Sequence, residues 1–112
     1  IAAFGYRALG NNTTGQSNTA CGHQALENCT TGENNTAVGQ NAFAGVTTGS
    51  NNTALGKGAG GVGVGNVQTS SNNMCLGDNN VTDAFIKVDW TVGSDQRDKT
   101  DIQELTNLLV NG

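Results

Sequence analysis

The chain has 112 residues, of which 35% are hydrophobic, 4% aromatic and 12% charged, with a net charge of −4. That leaves room for one ordinary domain at most. It is poor in the apolar bulk that a compact core of this length needs, and poorer in charge than a disordered chain of similar hydrophobicity. No basic patch and no long apolar run is present, so neither nucleic-acid binding nor membrane insertion is expected.

Glycine, asparagine and threonine dominate, and proline is absent. Those residues suit tight turns and short strands. The start at Ile1 without a methionine, and the end at Gly112 after an apolar run, lead us to expect a piece of a longer polypeptide.

From its first residue the chain repeats. Asn-Thr-Ala occurs at Asn18-Thr19-Ala20, Asn35-Thr36-Ala37 and Asn52-Thr53-Ala54, with Ile1-Ala2-Ala3 in the same column, a spacing of 17 each time. Gly5, Gly22, Gly39 and Gly56 then align, as do Ala8, Ala25, Ala42 and Ala59, and Thr-Thr-Gly recurs at 13–15, 30–32 and 47–49. Self-similarity at one fixed period is the signature of a stacked repeat architecture.

Two columns are bulky and apolar: Phe4, Cys21, Val38 and Leu55, and Leu9, Leu26, Phe43, then Gly60. Together with the alanine columns of Ala3 and Ala8 they are expected to form the interior. Cys21 and Cys75 would then be small buried hydrophobes; the role of Cys29 stays open. The glycine of Thr-Thr-Gly is expected to take a positive φ, which costs glycine little, and the Gly5 column to serve a turn or a close backbone approach. The asparagine before each strand is expected to fix a turn or to form a ladder between coils. His23 shares a variable, outward column with Tyr6, Gln40 and Lys57. Each unit thus reads as one coil of strand, turn, second strand and turn, which buries its apolar face only by stacking on the next. Glycine and threonine at every would-be helix interior exclude a helical repeat.

The fourth unit decays into Gly60-Gly61-Val62-Gly63-Val64-Gly65, and the motif restarts at Asn73-Met74-Cys75-Leu76-Gly77, 21 residues after Asn52, which predicts a stretched last coil. Beyond it Ala84, Ile86, Val88, Trp90 and Val92 alternate with Phe85, Lys87, Asp89 and Thr91, a strand pattern, with Trp90 expected to pack a junction. Of the fourteen charged residues ten lie from Asp78 onward, which marks this change of character. Thr100-Asp101-Ile102-Gln103 reads as a capping box opening a short helix with Ile102, Leu105, Leu108 and Leu109 as its apolar stripe.

Units such as Asn35-Thr36-Ala37-Val38-Gly39-Gln40-Asn41-Ala42-Phe43 resemble the repeats of bacteriophage tail fibres and the head repeats of trimeric autotransporter adhesins, over residues 1–77. Adhesin heads are parallel β-rolls of three chains around one axis. Ser94-Asp95-Gln96-Arg97-Asp98-Lys99-Thr100-Asp101-Ile102 is similar to the opening of the intramolecular chaperone auto-processing domain of endosialidase-type tail spikes, Ser-Asp-x-Arg-x-Lys-x-(Asp/Asn)-Ile. Asp98 stands where that family commonly has leucine. The resemblance implies trimerisation followed by self-cleavage beside Ser94, with Ser94 as nucleophile, Lys99 as its base, and Asp95 and Arg97 positioning the pair. A serine hydroxyl needs such a base, and lysine serves when burial lowers its pKa.

The expectation is therefore an all-β, elongated, homotrimeric stack of 17-residue coils, parallel β-roll- or β-helix-like, with a short C-terminal helix. Its parts are the repeat region 1–77 (units 1–17, 18–34, 35–51 and 52–77), a β junction at 78–93, and the start of an auto-processing domain at 94–112. Its expected role is structural, in a virion tail fibre or spike that attaches to a glycan or protein receptor on a host surface. The alternatives are a trimeric adhesin head at a bacterial cell surface and a self-cleaving peptidase segment. Any catalysis is at most a single turnover on the chain itself; no external substrate, cofactor or metal is expected.

Overall fold

The computed structural model describes residues 1–61, 68–91 and 93. Within them the chain is a β-solenoid. Five parallel strands form one sheet in chain order, β1 (Ala2–Phe4), β2 (Thr19–Cys21), β3 (Thr36–Val38), β4 (Thr53–Leu55) and β5 (Met74–Leu76). Thr19 pairs with Thr36 and Thr36 with Thr53, so the 17-residue period is the pitch of the coil. Thr53 pairs with Met74, which confirms the stretched last coil of 21 residues. The described residues contain no helix, and the helix expected from Thr100 lies outside them.

Each coil has one strand. The expected second strand is absent among the described residues, because its place is taken by a left-handed turn. Gln24 and Leu26 have φ of 60° and 51°, and Asn41 and Phe43 repeat this one coil later. Alternate left-handed residues cannot keep an extended path. The turn still meets its neighbour through single hydrogen bonds such as Leu26 N–H to Ala42 C=O, at 3.0 Å.

The interior is narrow. Ala20, Ala37 and Ala54 line it under the sheet, Ala25, Ala42 and Ala59 line it at the turn, and Leu9, Leu26 and Phe43 fill it. Alanine thus forms both walls, and the larger side chains of the Leu9 column occupy the space between them. The Leu9 column runs out at Gly60, and Phe43 explains why. A Cβ on Gly60 would collide with the Phe43 ring, so one large side chain fills the space of two layers.

Inside the coil runs a ladder of buried asparagines. Asn18 Oδ1 accepts the Asn35 N–H at 2.9 Å, Asn35 Oδ1 accepts the Asn52 N–H at 3.0 Å, and Asn52 Oδ1 accepts the Asn73 N–H at 2.9 Å. The Asn18 and Asn35 amide nitrogens donate to carbonyls 14 residues on, Asn18 to Gly32 at 2.8 Å and Asn35 to Gly49 at 2.9 Å. Every rung thereby partners backbone groups that a buried turn would otherwise leave unsatisfied.

The glycine expectation is corrected here. Gly15, Gly32 and Gly49 do not have positive φ; the left-handed residue lies two positions later, at Ser17, Asn34 and Asn51. The Thr-Thr-Gly glycine is needed for space instead, since a Cβ on Gly32 would sit on the Gly49 carbonyl. Gly22 combines both demands, with φ of 136° and a virtual Cβ 2.6 Å from the Gly39 carbonyl carbon.

Candidate functional site on the outer sheet face

Strand alternation decides what the solenoid presents outward. In a strand successive side chains point to opposite faces. Ala20, Ala37 and Ala54 point in, so their neighbours on both sides point out. Phe4, Cys21, Val38, Leu55 and Leu76 therefore form an exposed apolar ladder, with Phe4 67%, Val38 40%, Leu55 46% and Leu76 47% accessible. This overturns the expectation that the Phe4 column is interior. The clue lay in the Thr-Ala-x triplet: a polar threonine two residues before the apolar position shares its face, so that face is outer. Beside the ladder runs a second outward column of Ala2, Thr19, Thr36, Thr53 and Met74. Neither column carries a charge.

The other walls are polar. Tyr6 and His23 stack with ring centroids 5.2 Å apart and planes at 20°, on the outward column expected for His23. Arg7 Nε lies 2.9 Å from Glu27 Oε1 in the next coil, a surface pair of modest worth. Thr13 Oγ1 donates to Thr30 C=O at 3.1 Å, and Thr47 Oγ1 to Gln68 C=O at 3.2 Å. These bonds zip adjacent coils from outside.

The cysteines separate into two kinds. Cys21 is exposed on the apolar ladder, against the expectation that it is buried. Cys29 and Cys75 are buried, and Cys75 takes the place of Ala54 in the inward column. Burial pushes the Cys29 thiol above its ordinary value of 9.0, with hydrogen bonding to the Gly32 backbone and the Asn35 side chain pulling the other way. Burial also raises the Cys75 thiol. Both stay protonated at neutral pH, and a protonated thiol is neither a good nucleophile nor a good ligand.

Past the last strand, residues 81–91 form no strand, although 84–92 alternate as one would. Phe85 is 96% exposed and Trp90 65%, so Trp90 packs no junction among the described residues. An alternating segment becomes a strand only where an edge and a covering layer receive it, and among the described residues no strand pairs with this one. The residues read as catalytic, Ser94 and Lys99, and those read as positioning them, Asp95 and Arg97, lie outside the described residues. Among the described residues no three His, Cys, Asp or Glu side chains gather into a possible metal site, and no helix is long and apolar enough to cross a membrane.

No family model matches this chain, and neither the curated proteins nor the solved structures contain a significant match to it.

Proposed function

We propose that this chain is a structural segment of a bacteriophage tail fibre or spike, assembled as a homotrimer and supporting attachment to a host surface. The observation that carries this reading is the stacking of five successive strands, coil on coil, in chain order. Among the described residues each coil hydrogen-bonds to its neighbours through the strand ladder, the asparagine ladder and the threonine zipper. Such a body transmits reach and stiffness along its length and needs no catalytic cleft. The resemblance of the repeat to phage fibre units supports the class. The Ser94–Ile102 motif, following the point where the repeat stops, supports placement next to an assembly domain.

A second activity is favoured by that motif alone, self-cleavage beside Ser94. Lys99 takes the Ser94 hydroxyl proton as Oγ attacks the adjacent peptide carbonyl. The leaving amine takes a proton, and water then hydrolyses the ester to a carboxylic acid. The net change is one peptide bond hydrolysed by one water.

Both readings are tested by producing the full-length protein beside a Ser94→Ala variant. The fibre reading expects a native mass of three chains, and cleavage expects two fragments from the wild type against one intact band from the variant. A one-chain mass would overturn the trimer; identical intact bands would overturn self-cleavage and leave the fibre role standing.

A further inference from the structure

We infer that the apolar ladder of Phe4, Cys21, Val38, Leu55 and Leu76 is the face by which copies of this chain meet, parallel and in register about a common axis. The inference rests on the trimeric reading above and assigns its contact surface.

Three observations lead there. First, a parallel sheet is ordinarily covered on both faces, and this one has a core on one face while no described residue covers the other. The apolar side chain recurs at the same outward place in every strand, which scattered surface hydrophobes do not do. Second, the two outward columns carry no charge in any rung, while the charges of the coils, Arg7, Glu27, Glu33 and Lys57, lie on other walls. A surface without charge meets its own copy without repulsion. Third, the rungs repeat at the strand spacing of about 4.8 Å. Only a partner with the same period engages every rung alike, and a second copy has that period by construction.

The size of the strip selects the arrangement. Five rungs span about 20 Å and two outward columns about 7 Å, far less than the roughly 800 Å² per partner of a standard two-body contact. A closed ring suits so narrow a strip, because each ladder then meets two others at the axis and each further coil adds an equal increment. The exposed Phe85 and Trp90 that follow the last rung add apolar surface of the same kind.

Cys21 makes the inference testable, because it is the exposed thiol and it sits on the ladder. In a parallel, in-register ring the Cys21 residues of all copies lie at one height. The full-length protein is treated with a short bis-maleimide and resolved under denaturing conditions, with Cys21→Ser as the control. The expected result is a two-chain band from wild type only, together with a native mass of three chains. Val38→Lys is expected to shift the native mass to one chain with its β-sheet circular dichroism kept, whereas Thr31→Lys, on another exposed wall, leaves three. A three-chain mass with no Cys21 cross-link, or a Val38→Lys protein that stays three-chain, would overturn this contact face and leave the trimer intact. A one-chain mass for the wild type would overturn both.

Discussion

Asn12 has a buried side-chain nitrogen with no hydrogen-bond partner. The same column holds Cys29 and Val46 in the next coils, both fully buried. An unpartnered buried donor costs about 1–3 kcal/mol. Asn12→Val is accordingly expected to raise stability by about 1 kcal/mol, read as an upward shift of the thermal midpoint; a lower midpoint would contradict the account. Cys29 supplies a pH dependence. Its folded thiol is held above 9.0 by burial, so the unfolded chain releases that proton first as pH rises. The stability it contributes is complete below the unfolded value and is lost as pH rises through the folded one. Melting temperatures between about pH 8 and pH 10 should fall more for the wild type than for Cys29→Val, whose side chain does not titrate.

The asparagine ladder shows how coils are joined. Asn35→Leu would leave the Asn52 N–H and the Gly49 carbonyl without the partners they now have. At about 1–3 kcal/mol for each orphaned group, equilibrium unfolding should show a loss of about 2–4 kcal/mol, far above the effect of an exposed Thr31→Ala. The Phe43–Gly60 pair is a second joint. Gly60→Ala is expected to cost about 1–3 kcal/mol by overpacking, and to cost less in a Phe43→Leu background. A double-mutant cycle measures this, and strict additivity would mean the two do not share one space.

Much of this level was legible in the sequence. The pitch, the Leu9 column, the alanine walls and the stretched last coil follow from aligned residues, because a stack forces equivalent residues to equivalent places. The Phe4 column was misplaced because bulk was equated with burial, whereas a coil this thin keeps alanine inside and turns the larger side chain out. The second strand was misread because left-handed leucine and phenylalanine leave no mark in a sequence; φ of 54° at Leu9 runs against the preference of such residues. For residues 84–92 the alternation was real, but a strand needs a partner that the pattern itself does not supply.

At the scale of the molecule the solenoid is nearly one-dimensional, so its stability is a sum of coil and neighbour contributions. Removing residues 18–34 leaves Leu9 above Phe43, Phe43 above Gly60, and Ala3 in register with Ala37. That shortened chain is expected to keep its parallel-sheet circular dichroism and a cooperative melt at a lower midpoint. Loss of cooperative melting would show that coils are not interchangeable units. The same logic explains why the candidate contact face was hidden from composition. Its residues are unremarkable singly, and only the repeat, stepped four times, sets them in one line.

A stack of near-identical coils carries a hazard of its own, since a chain that folds one full pitch out of step satisfies almost the same ladders. The Phe43–Gly60 pair removes that degeneracy. Phe43 has its recess above Gly60, and an alignment that parted the two would set its ring against a leucine of the same column. One bulky ring and one bare backbone thus index the stack, so that the coils count from a fixed origin.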